Sequence, residues 1–459
     1  MKVSQTLKTF FLFSKTPKKY KGNSNFCTFS SVAKQDKIFS PIIFKEIIKI
    51  ISKHSDVSDV KITSTIQLSE PNRPNLVYKI GLEGPENRIP QSLIVKHFIP
   101  SNASISEQDN LDRFNRDWAG LEFLNRYKIN PRKFYGGSKE NYFILMEDLG
   151  PKHISLVDFL TAKNVSAAKD SLERFMFSLG QFHADCYGKV NEYEQILYKS
   201  NTKPLNKHLK DTLEYMIKES NPILAQLGIT YSSKLQQEIN SVIKSMLTPG
   251  PFSTLVHGDI CPDNVFDLTN IGKKEMRIID FEWSFIGNAL IDGVYLAMNM
   301  PTCWCAKSIP LDLRKSLEKI YRDELSKKVP AAASDMYYNA YTDACAYWML
   351  KSVVFVNDIL KQDCIVRSGK LPHDALWHPE QNLLRPRTIS ALQNFIDTSK
   401  NYDSLPNLRI MSEQLIENLK TKWPEAKPLE LYPVFDFDTK HDCNLAGEVS
   451  LNDTNFLDS

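Results

Sequence analysis

An aspartate, an asparagine and a second aspartate are the residues of this chain best suited to chemistry. Asp259 and Asn264 lie five residues apart in the segment 255–265, and Asp280 follows sixteen residues later, after the strand-like run 277–279. Amide and carboxylate oxygens at one point suit Mg²⁺, a hard cation that keeps waters and binds phosphates. If the two strands that carry these residues pair as a hairpin, Asn264 and Asp280 come close together. Asp259, on the loop between the strands, then faces a substrate.

A lysine in the first quarter of the chain adds a fourth member to this group. The β-rich run 92–95 ends at Lys96, a cation that is able to hold phosphates. Phosphoryl transfer uses an aspartate that orients a hydroxyl, an asparagine and an aspartate that hold metal, and a distant lysine. The residues therefore predict phosphoryl transfer with Mg²⁺.

The elements that must position these residues change in type along the chain. Three β-rich runs lie at 77–82, 92–95 and 142–146, and two helical periods at 42–52 and 114–127. After residue 151 helical periods dominate, apart from one strand-rich island at 252–282. The predicted helices span 155–162, 166–188, 205–219, 231–247, 310–328, 334–360, 386–399 and 408–422.

These motifs resemble those of the aminoglycoside phosphotransferase and choline kinase group, which are small-molecule kinases with a protein-kinase-like fold. The resemblance depends on His257-Gly258-Asp259 with Asn264 and on Ile279-Asp280-Phe281-Glu282, and it covers about residues 40–360. It implies an α+β, two-lobed fold with a small β-rich N-terminal lobe and a larger, mainly helical C-terminal lobe. The expected domains are a basic segment at 1–38, a nucleotide-binding lobe at 39–148, a catalytic and substrate-binding lobe at 149–435 and an acidic tail at 436–459.

The resemblance also implies a role for each residue of the candidate site. Asp259 would be the catalytic base, and Asn264 and Asp280 would be the ligands of Mg²⁺. Asp292 matches an aspartate that in this fold braces the backbone of the catalytic loop. His183, on an apolar helix face, is expected to be a core histidine rather than a ligand.

Lys96 would contact the α- and β-phosphates of ATP and pair with an acid on the following helix. Asp117 takes the position of the family's glutamate, because Leu121 and Leu124 follow it at the family's offsets. Aspartate is one methylene shorter than glutamate, so Glu122 stays open as the alternative partner. The other nucleotide contacts that the resemblance implies are Arg73, in a hairpin without the usual glycines, and the hinge residues Met146, Glu147 and Leu149.

Two other functions fit part of the pattern. A non-catalytic nucleotide-binding pseudokinase or scaffold would accommodate the altered hairpin and Asp117, although the rest of the site disfavours it. A protein kinase is less favoured, because His-Gly-Asp replaces His-Arg-Asp and no Ala-Pro-Glu segment follows.

Core packing is expected of one aromatic cluster, with a box for a quaternary amine as the alternative. This cluster contains Trp304, Tyr337, Tyr338, Tyr341, Tyr347 and Trp348.

Composition and charge exclude several classes of protein. A content of 42% hydrophobic and 24% charged residues is typical of a globular chain and excludes overall disorder. The net charge of +3 provides no basic field for nucleic acid. No apolar run approaches the ~18–20 residues of a membrane span. We therefore expect ATP and a hydroxylated small molecule as partners, without nucleic acid or membrane; the acceptor's identity and any protein partners stay open.

The cysteines and the chain ends bear on the compartment. Eight cysteines without a CxxC pair or a Cys/His set at zinc spacing are typical of free thiols in a reducing environment. Residues 1–35 contain seven lysines and no acid, which is compatible with a transit peptide, although a flexible tail is the favoured interpretation. The last 24 residues contain six acids and one lysine, as in a solvated acidic tail. A cytoplasmic location is expected, with a mitochondrial one as the alternative.

Overall fold

The structure is a computed structural model that describes most of the chain between residues 40 and 436. The residues left out of that range are 70–72, 74, 86–87, 100–105, 131–132, 151–152, 201, 203, 270–271, 273–275, 355, 357–359 and 361–382. The predicted basic segment 1–38 and nearly all of the acidic tail lie outside the described residues.

The described residues of the N-terminal part form two helices and five strands. They are α1 (Pro41–Ser55), β1 (Lys61–Gln67), β2 (Asn75–Glu83), β3 (Ser92–Phe98), α2 (Glu107–Tyr127), β4 (Phe134–Ser138) and β5 (Phe143–Glu147). The strands form one sheet in the order β1-β2-β3-β5-β4, and every neighbouring pair in it is antiparallel.

The alternation of side chains along β3 decides the direction of Lys96. Leu93 and Val95 pack in a small core with α1, whereas Ile94 lies in the main core that includes α2 and the helical part. Successive side chains of a strand point to opposite faces of the sheet. Lys96 therefore lies on the same face as Ile94, towards α2 and the rest of the chain.

Two strands of this sheet were not predicted from the sequence. β1 is an edge strand whose side chains are mostly exposed, so it lacks the apolar run that predicts a strand. β4 contains Gly136 and Gly137 and has a register shift before Gly136. Glycine weakens the strand pattern and often marks such an irregularity.

Helix α2 begins at Glu107, earlier than the predicted start at Phe114. The Ser106 side chain accepts a hydrogen bond from the Asp109 N–H at 3.1 Å and caps the helix. The first turns of α2 are polar, so the apolar periodicity that predicts a helix begins only further along the chain. The Ser106 cap is the sequence feature that marks the observed start.

The rest of the chain is mainly helical. Its elements are β6 (Ile154–Ser155), α3 (Leu156–Thr161), α4 (Val165–Cys186), α5 (Val190–Tyr198), α6 (Leu205–Gln226), α7 (Ser233–Leu247), β7 (Ser253–Val256), β8 (Val265–Asp267), β9 (Met276–Ile278), β10 (Phe285–Asn288), α8 (Leu290–Gly293), α9 (Leu311–Ser326), α10 (Met336–Val353), α11 (Leu384–Tyr402) and α12 (Pro406–Lys422). Short 3₁₀ helices lie at Gly250–Phe252, Pro262–Asn264 and Pro330–Ala333. Residues 355 and 357–359 of the predicted helix 334–360 are outside the described residues.

The strands of the β island do not pair as the expected hairpin. β7 pairs with β10, and β8 pairs with β9, so the runs 255–256 and 277–279 are not partners. The shorter hairpin of β8 and β9 lies between Asn264 and Asp280, and the Ile279 N–H donates to the Asn264 carbonyl at 3.0 Å. The two predicted metal ligands are therefore neighbours, but through a different strand pairing from the expected one.

Helix α6 continues past the predicted end at residue 219 and through Pro222 to Gln226. A proline inside a helix costs about 3 kcal/mol because it removes a hydrogen bond and crowds the preceding turn. Leu224 and Leu227 beyond it are buried, and burial of each side chain stabilises the fold by about 1.5–3 kcal/mol. Burial of this apolar end offsets the proline, which sequence propensity alone does not reveal. The short helix α5 was also missed.

The predicted α+β class is confirmed: a smaller sheet-bearing part precedes a larger, mainly helical part. Among the described residues, no helix is both long enough and apolar enough to cross a membrane.

Candidate active site

Lys96 is the centre of a buried group of charges. Its Nζ lies 2.8 Å from Asp117 Oδ2, 2.6 Å from Asp280 Oδ1 and 3.1 Å from Glu282 Oε2. The lysine is only 4% exposed. Burial alone lowers the pKa of a lysine, but the charges of the three carboxylates outweigh it and hold the pKa of Lys96 well above its usual value. Lys96 is therefore a fixed cation that joins β3, α2 and the segment after β9.

Asp117 links Lys96 to the backbone next to Asp280. Its Oδ2 accepts from Lys96, and its Oδ1 accepts from the Phe281 N–H at 3.0 Å. Gly120, one turn further along α2, explains how the short side chain reaches. A Cβ at Gly120 would lie 2.7 Å from the Phe281 Cβ, so only glycine allows the helix this close.

Glu122, the alternative partner of Lys96, lies away from this group. Its carboxylate accepts from Trp118 Nε1 at 3.0 Å and pairs with Arg126 at 2.8 Å in a partly exposed i, i+4 ion pair. The structure therefore brings Asp117, and not Glu122, to Lys96.

Asp292 holds the backbone that leads to Asp259. Its carboxylate accepts from the His257 N–H at 2.6 Å and from the Gly258 N–H at 3.1 Å, and it contacts His183 Nε2 at 3.2 Å. Gly258 has a φ of +79°, and a Cβ there would lie 2.6 Å from the Trp283 carbonyl oxygen. The loop is thus fixed by a buried carboxylate and by a turn that requires glycine.

The Asp259 carboxylate is held on one of its oxygens. Cys261 Sγ donates to Oδ1 at 3.2 Å, and Thr302 Oγ1 donates to the same atom at 3.1 Å. Burial, followed by the charge of Asp263, raises the pKa of Asp259 to about 6. The group is ionised at neutral pH and is more basic than an ordinary aspartate.

Asn264 and Asp280 each keep one oxygen directed away from these contacts. The Asn264 side-chain amide donates to the Asp259 carbonyl at 2.9 Å, which leaves its Oδ1 on the other side. Asp280 uses Oδ1 for Lys96 and has a φ of +71°, a left-handed conformation that is uncommon for aspartate. Its side chain is 32% exposed, so the carboxylate is not sealed in the core.

The charges around the loop suit a divalent cation. The nearby carboxylates Asp263 and Asp280 both oppose ionisation of Asp259 and so raise its pKa, after the larger effect of burial. A cluster of carboxylates that repel one another, together with an amide oxygen, is a donor set of hard oxygens that fits Mg²⁺. The chemistry of Asn264 and Asp280 therefore fits the metal predicted for them.

Arg73 lies between β1 and β2, whereas the hinge residues lie at and after the end of β5. The positive charge of Arg73 favours the ionised form of Asp263, although burial, the larger effect, raises the pKa of Asp263. Met146 and Glu147 end β5, and Leu149 follows in the connection to the helical part. The Glu147 N–H donates to the Lys133 carbonyl at 2.9 Å, so the structure already engages that amide.

Glu282 and Arg113 belong to the charged group but were not predicted as site residues. Glu282 accepts from Asn75 Nδ2 at 2.6 Å and lies 3.3 Å from Arg113, besides its contact with Lys96. The Arg113 guanidinium also lies over the Trp283 ring at 4.3 Å. Glu282 stands two residues after Asp280 and could have been inferred from that spacing, whereas no sequence signal marks Arg113.

The aromatic cluster of the helical part packs as core. Tyr347 and Trp348 are buried, and the Lys351 Nζ lies 4.2 Å from the Trp348 ring and 5.4 Å from the Tyr347 ring. Burial lowers the pKa of Lys351 to about 7, although the negative charge of Asp259 acts to raise it. The faces suited to a quaternary amine are therefore in contact with the protein's own lysine, which favours core packing.

Comparison with known families identifies the same part of the chain. Residues 108–331 match the model of the ecdysteroid kinase-like family. The matched region includes Asp117, Asp259, Asn264 and Asp280 and begins after Lys96. Comparison with curated protein sequences gives no significant match.

Several solved kinases resemble the chain at low identity. A choline kinase of Streptococcus pneumoniae is 15% identical with a TM-score of 0.39, over 79% of this chain and 99% of that one. An ethanolamine kinase of Plasmodium vivax is 13% identical with a TM-score of 0.42, over 82% of this chain and 93% of that one.

The family match confirms the predictions of a small-molecule kinase family and of an enzyme. The chain is a phosphotransferase with a hydroxyl group of a small molecule as acceptor. ATP is the co-substrate that this activity implies.

Proposed function

We propose that Asp259 is the catalytic base of this phosphotransferase, with Mg²⁺ held by Asn264 and Asp280 and with Lys96 on the phosphates of ATP. One observation carries the proposal. Lys96 Nζ bonds to Asp117 and Asp280 at 2.8 and 2.6 Å, and the residue before Asp280 hydrogen-bonds the Asn264 backbone at 3.0 Å. A lysine from the sheet, a helix acid and the catalytic loop thus form one continuous group.

Asp259 is suited to accept a proton from the acceptor hydroxyl. Its Oδ1 is held by Cys261 and Thr302, so the carboxylate has a fixed direction and its Oδ2 can face a hydroxyl. A pKa of about 6 makes the group ionised at neutral pH and more basic than free aspartate. Both properties are what a general base requires.

Lys96 and the metal would divide the work of neutralising the phosphates. Lys96 is held as a cation by its carboxylate partners, on the face of the sheet that packs towards α2 and the helical part. Bound Mg²⁺ would supply positive charge to the phosphate oxygens, which is the main requirement of phosphoryl transfer. Arg73 is a further cation on this side, and the backbone from Met146 to Leu149 is the proposed adenine contact.

The family name supplies the first acceptor to test. The matching family is named for ecdysteroid kinases, and we propose a polyhydroxylated steroid as the acceptor class. The acceptor would lie against the helical part, next to Asp259.

The decisive experiment compares Asp259→Asn with wild type in an ADP-release assay with Mg·ATP and a panel of hydroxylated acceptors led by steroids. Asparagine keeps the shape of the side chain but does not accept the proton, so we expect turnover to fall on the order of 10²-fold or more. ATP affinity should change little.

Asp343→Asn is the matched control. Asp343 accepts from Ser245 at 2.7 Å and also has a pKa raised to about 6, chiefly by burial, but it lies on α10 away from the loop. It should keep normal turnover. Undiminished turnover in Asp259→Asn would remove Asp259 from the mechanism, and a steroid that yields no ADP while another alcohol does would refute the acceptor class alone.

A further inference from the structure

Two cysteines and an aspartate from separate segments converge beside the catalytic loop. Cys261 and Asp263 lie in the segment before β8, and Cys303 lies between α8 and α9. The two Sγ atoms and a carboxylate oxygen of Asp263 are all within 4.8 Å of one another. Both cysteines are free and buried. The spacing in the sequence gives no sign of this group, because 40 residues separate its two halves.

Asp263 is oriented towards the two thiols without a full set of hydrogen bonds. Trp304 Nε1 donates to Oδ2 at 2.8 Å and fixes the carboxylate. Its Oδ1 is buried and receives no hydrogen bond from another described residue. A buried acceptor without a donor is unfavourable, so a bound cation would be stabilised at this position.

We propose that Cys261, Cys303 and Asp263 form a binding site for a thiophilic divalent cation, with Zn²⁺ as the best fit. Two sulfurs and one carboxylate oxygen are ligands that Zn²⁺ accepts, whereas Mg²⁺ prefers oxygen alone. With Zn–S bonds of about 2.3 Å, tetrahedral sulfurs lie roughly 3.8 Å apart. Ligand atoms within 4.8 Å therefore need movements of about 1 Å or less. The fourth position would be filled by water or by a substrate oxygen.

Occupancy of this site would act directly on Asp259. As a thiol, Cys261 donates a hydrogen bond to Asp259 Oδ1 at 3.2 Å. On binding the cation, Cys261 and Cys303 each release a proton to solvent, and the Cys261 thiolate can no longer donate. Asp259 then keeps only the Thr302 hydrogen bond at Oδ1. The bound cation should therefore inhibit phosphoryl transfer.

Binding is tested first with Co²⁺ alone as the probe, because Co²⁺ bound by thiolates absorbs in the near ultraviolet. The full chain is titrated with Co²⁺ in excess Mg²⁺, and we expect one thiolate-bound ion per chain that Zn²⁺ displaces. Cys303→Ser should abolish the absorption, and Asp263→Asn should weaken binding at least tenfold. Cys345→Ser, a buried free cysteine on α10, is the matched control and should bind normally.

Two further measurements keep the proposal open to refutation if a variant folds poorly. In wild type, Zn²⁺ should protect Cys261 and Cys303, but not Cys345, from alkylation as read by mass spectrometry. Zn²⁺ should also inhibit ADP release in wild type and in Cys345→Ser, with recovery after a zinc-selective chelator. Normal Co²⁺ absorption in Cys303→Ser, or equal loss in Cys345→Ser, would overturn the site. The Co²⁺ and alkylation results do not depend on kinase activity, so they stand even if the proposed role of Asp259 fails.

Discussion

Gly120→Ala should disconnect Lys96, the proposed phosphate-binding residue, from the proposed metal ligand Asp280 without touching either. The new Cβ would lie 2.7 Å from the Phe281 Cβ, whereas carbon atoms prefer about 3.5–4.0 Å. Helix α2 and the Phe281 backbone must therefore separate by about 1 Å. Asp117, one turn earlier on the same face of α2, spans this gap through Lys96 and the Phe281 N–H.

The effect of Gly120→Ala on rate should exceed its effect on stability. Overpacking costs about 1–3 kcal/mol, and alanine regains about 1 kcal/mol of helix propensity, so a net loss of about 0–2 kcal/mol is expected. A misplacement of about 1 Å can cost on the order of 10²-fold in rate. The assay is kcat/KM by ADP release beside a thermal melt. The control is Gly84→Ala. Gly84 follows the last residue of β2, at the opposite end of that strand from Asn75. Activity of Gly120→Ala within twofold of wild type would refute the reasoning.

Three further predictions concern single groups of the site. Lys96→Met should reduce kcat/KM by about 10²-fold or more. Glu122→Ala should be near wild type, since its partly exposed i, i+4 ion pair is worth only about 0.3–0.5 kcal/mol. Equal effects of the two changes would contradict the position of Glu122 away from Lys96. The pKa of Asp259 is raised from 3.8 to about 6, so kcat/KM should fall as the pH drops through about 6, where that carboxylate gains a proton. The folded state binds this proton more tightly than the unfolded state, so protonation of Asp259 causes no loss of stability in that range. A thermal melt at each pH checks this. Asp280→Ala, or EDTA with wild type, should suppress the thermal shift produced by Mg·ATP, and a shift that is indifferent to both would exclude this metal site.

Strong periodic elements could be predicted from the sequence, and elements defined by pairing could not. The apolar run 92–95 identifies β3 because its side chains are buried on both faces. β1 and β4 depend on neighbouring strands, since one is a polar edge and the other carries glycines. The pairing of β7 with β10 likewise joins segments that no local pattern connects.

Site residues that lie at short spacing and have side chains typical of catalysis could be predicted from the sequence. Residues that come together only in the folded chain could not. Asp259, Asn264 and Asp280 lie within one segment of the sequence, so their chemistry is readable before their geometry. Arg113 approaches Glu282 from a helix 169 residues earlier, and only the folded chain brings them together. Cys303 meets Cys261 in the same way.

The aspartate at 117 and the glycine at 120 are best understood as one adaptation. A carboxylate on a shorter side chain reaches Lys96 only if the helix lies closer, and Gly120 permits that closeness because it has no Cβ against Phe281. If this is correct, Asp117→Glu should restore part of the activity lost in Gly120→Ala, because the longer side chain spans the widened gap. In the wild-type background the same Asp117→Glu change should reduce activity through crowding. The two changes should therefore be strongly non-additive in kcat/KM, and additive losses would mean that helix position and side-chain length are independent.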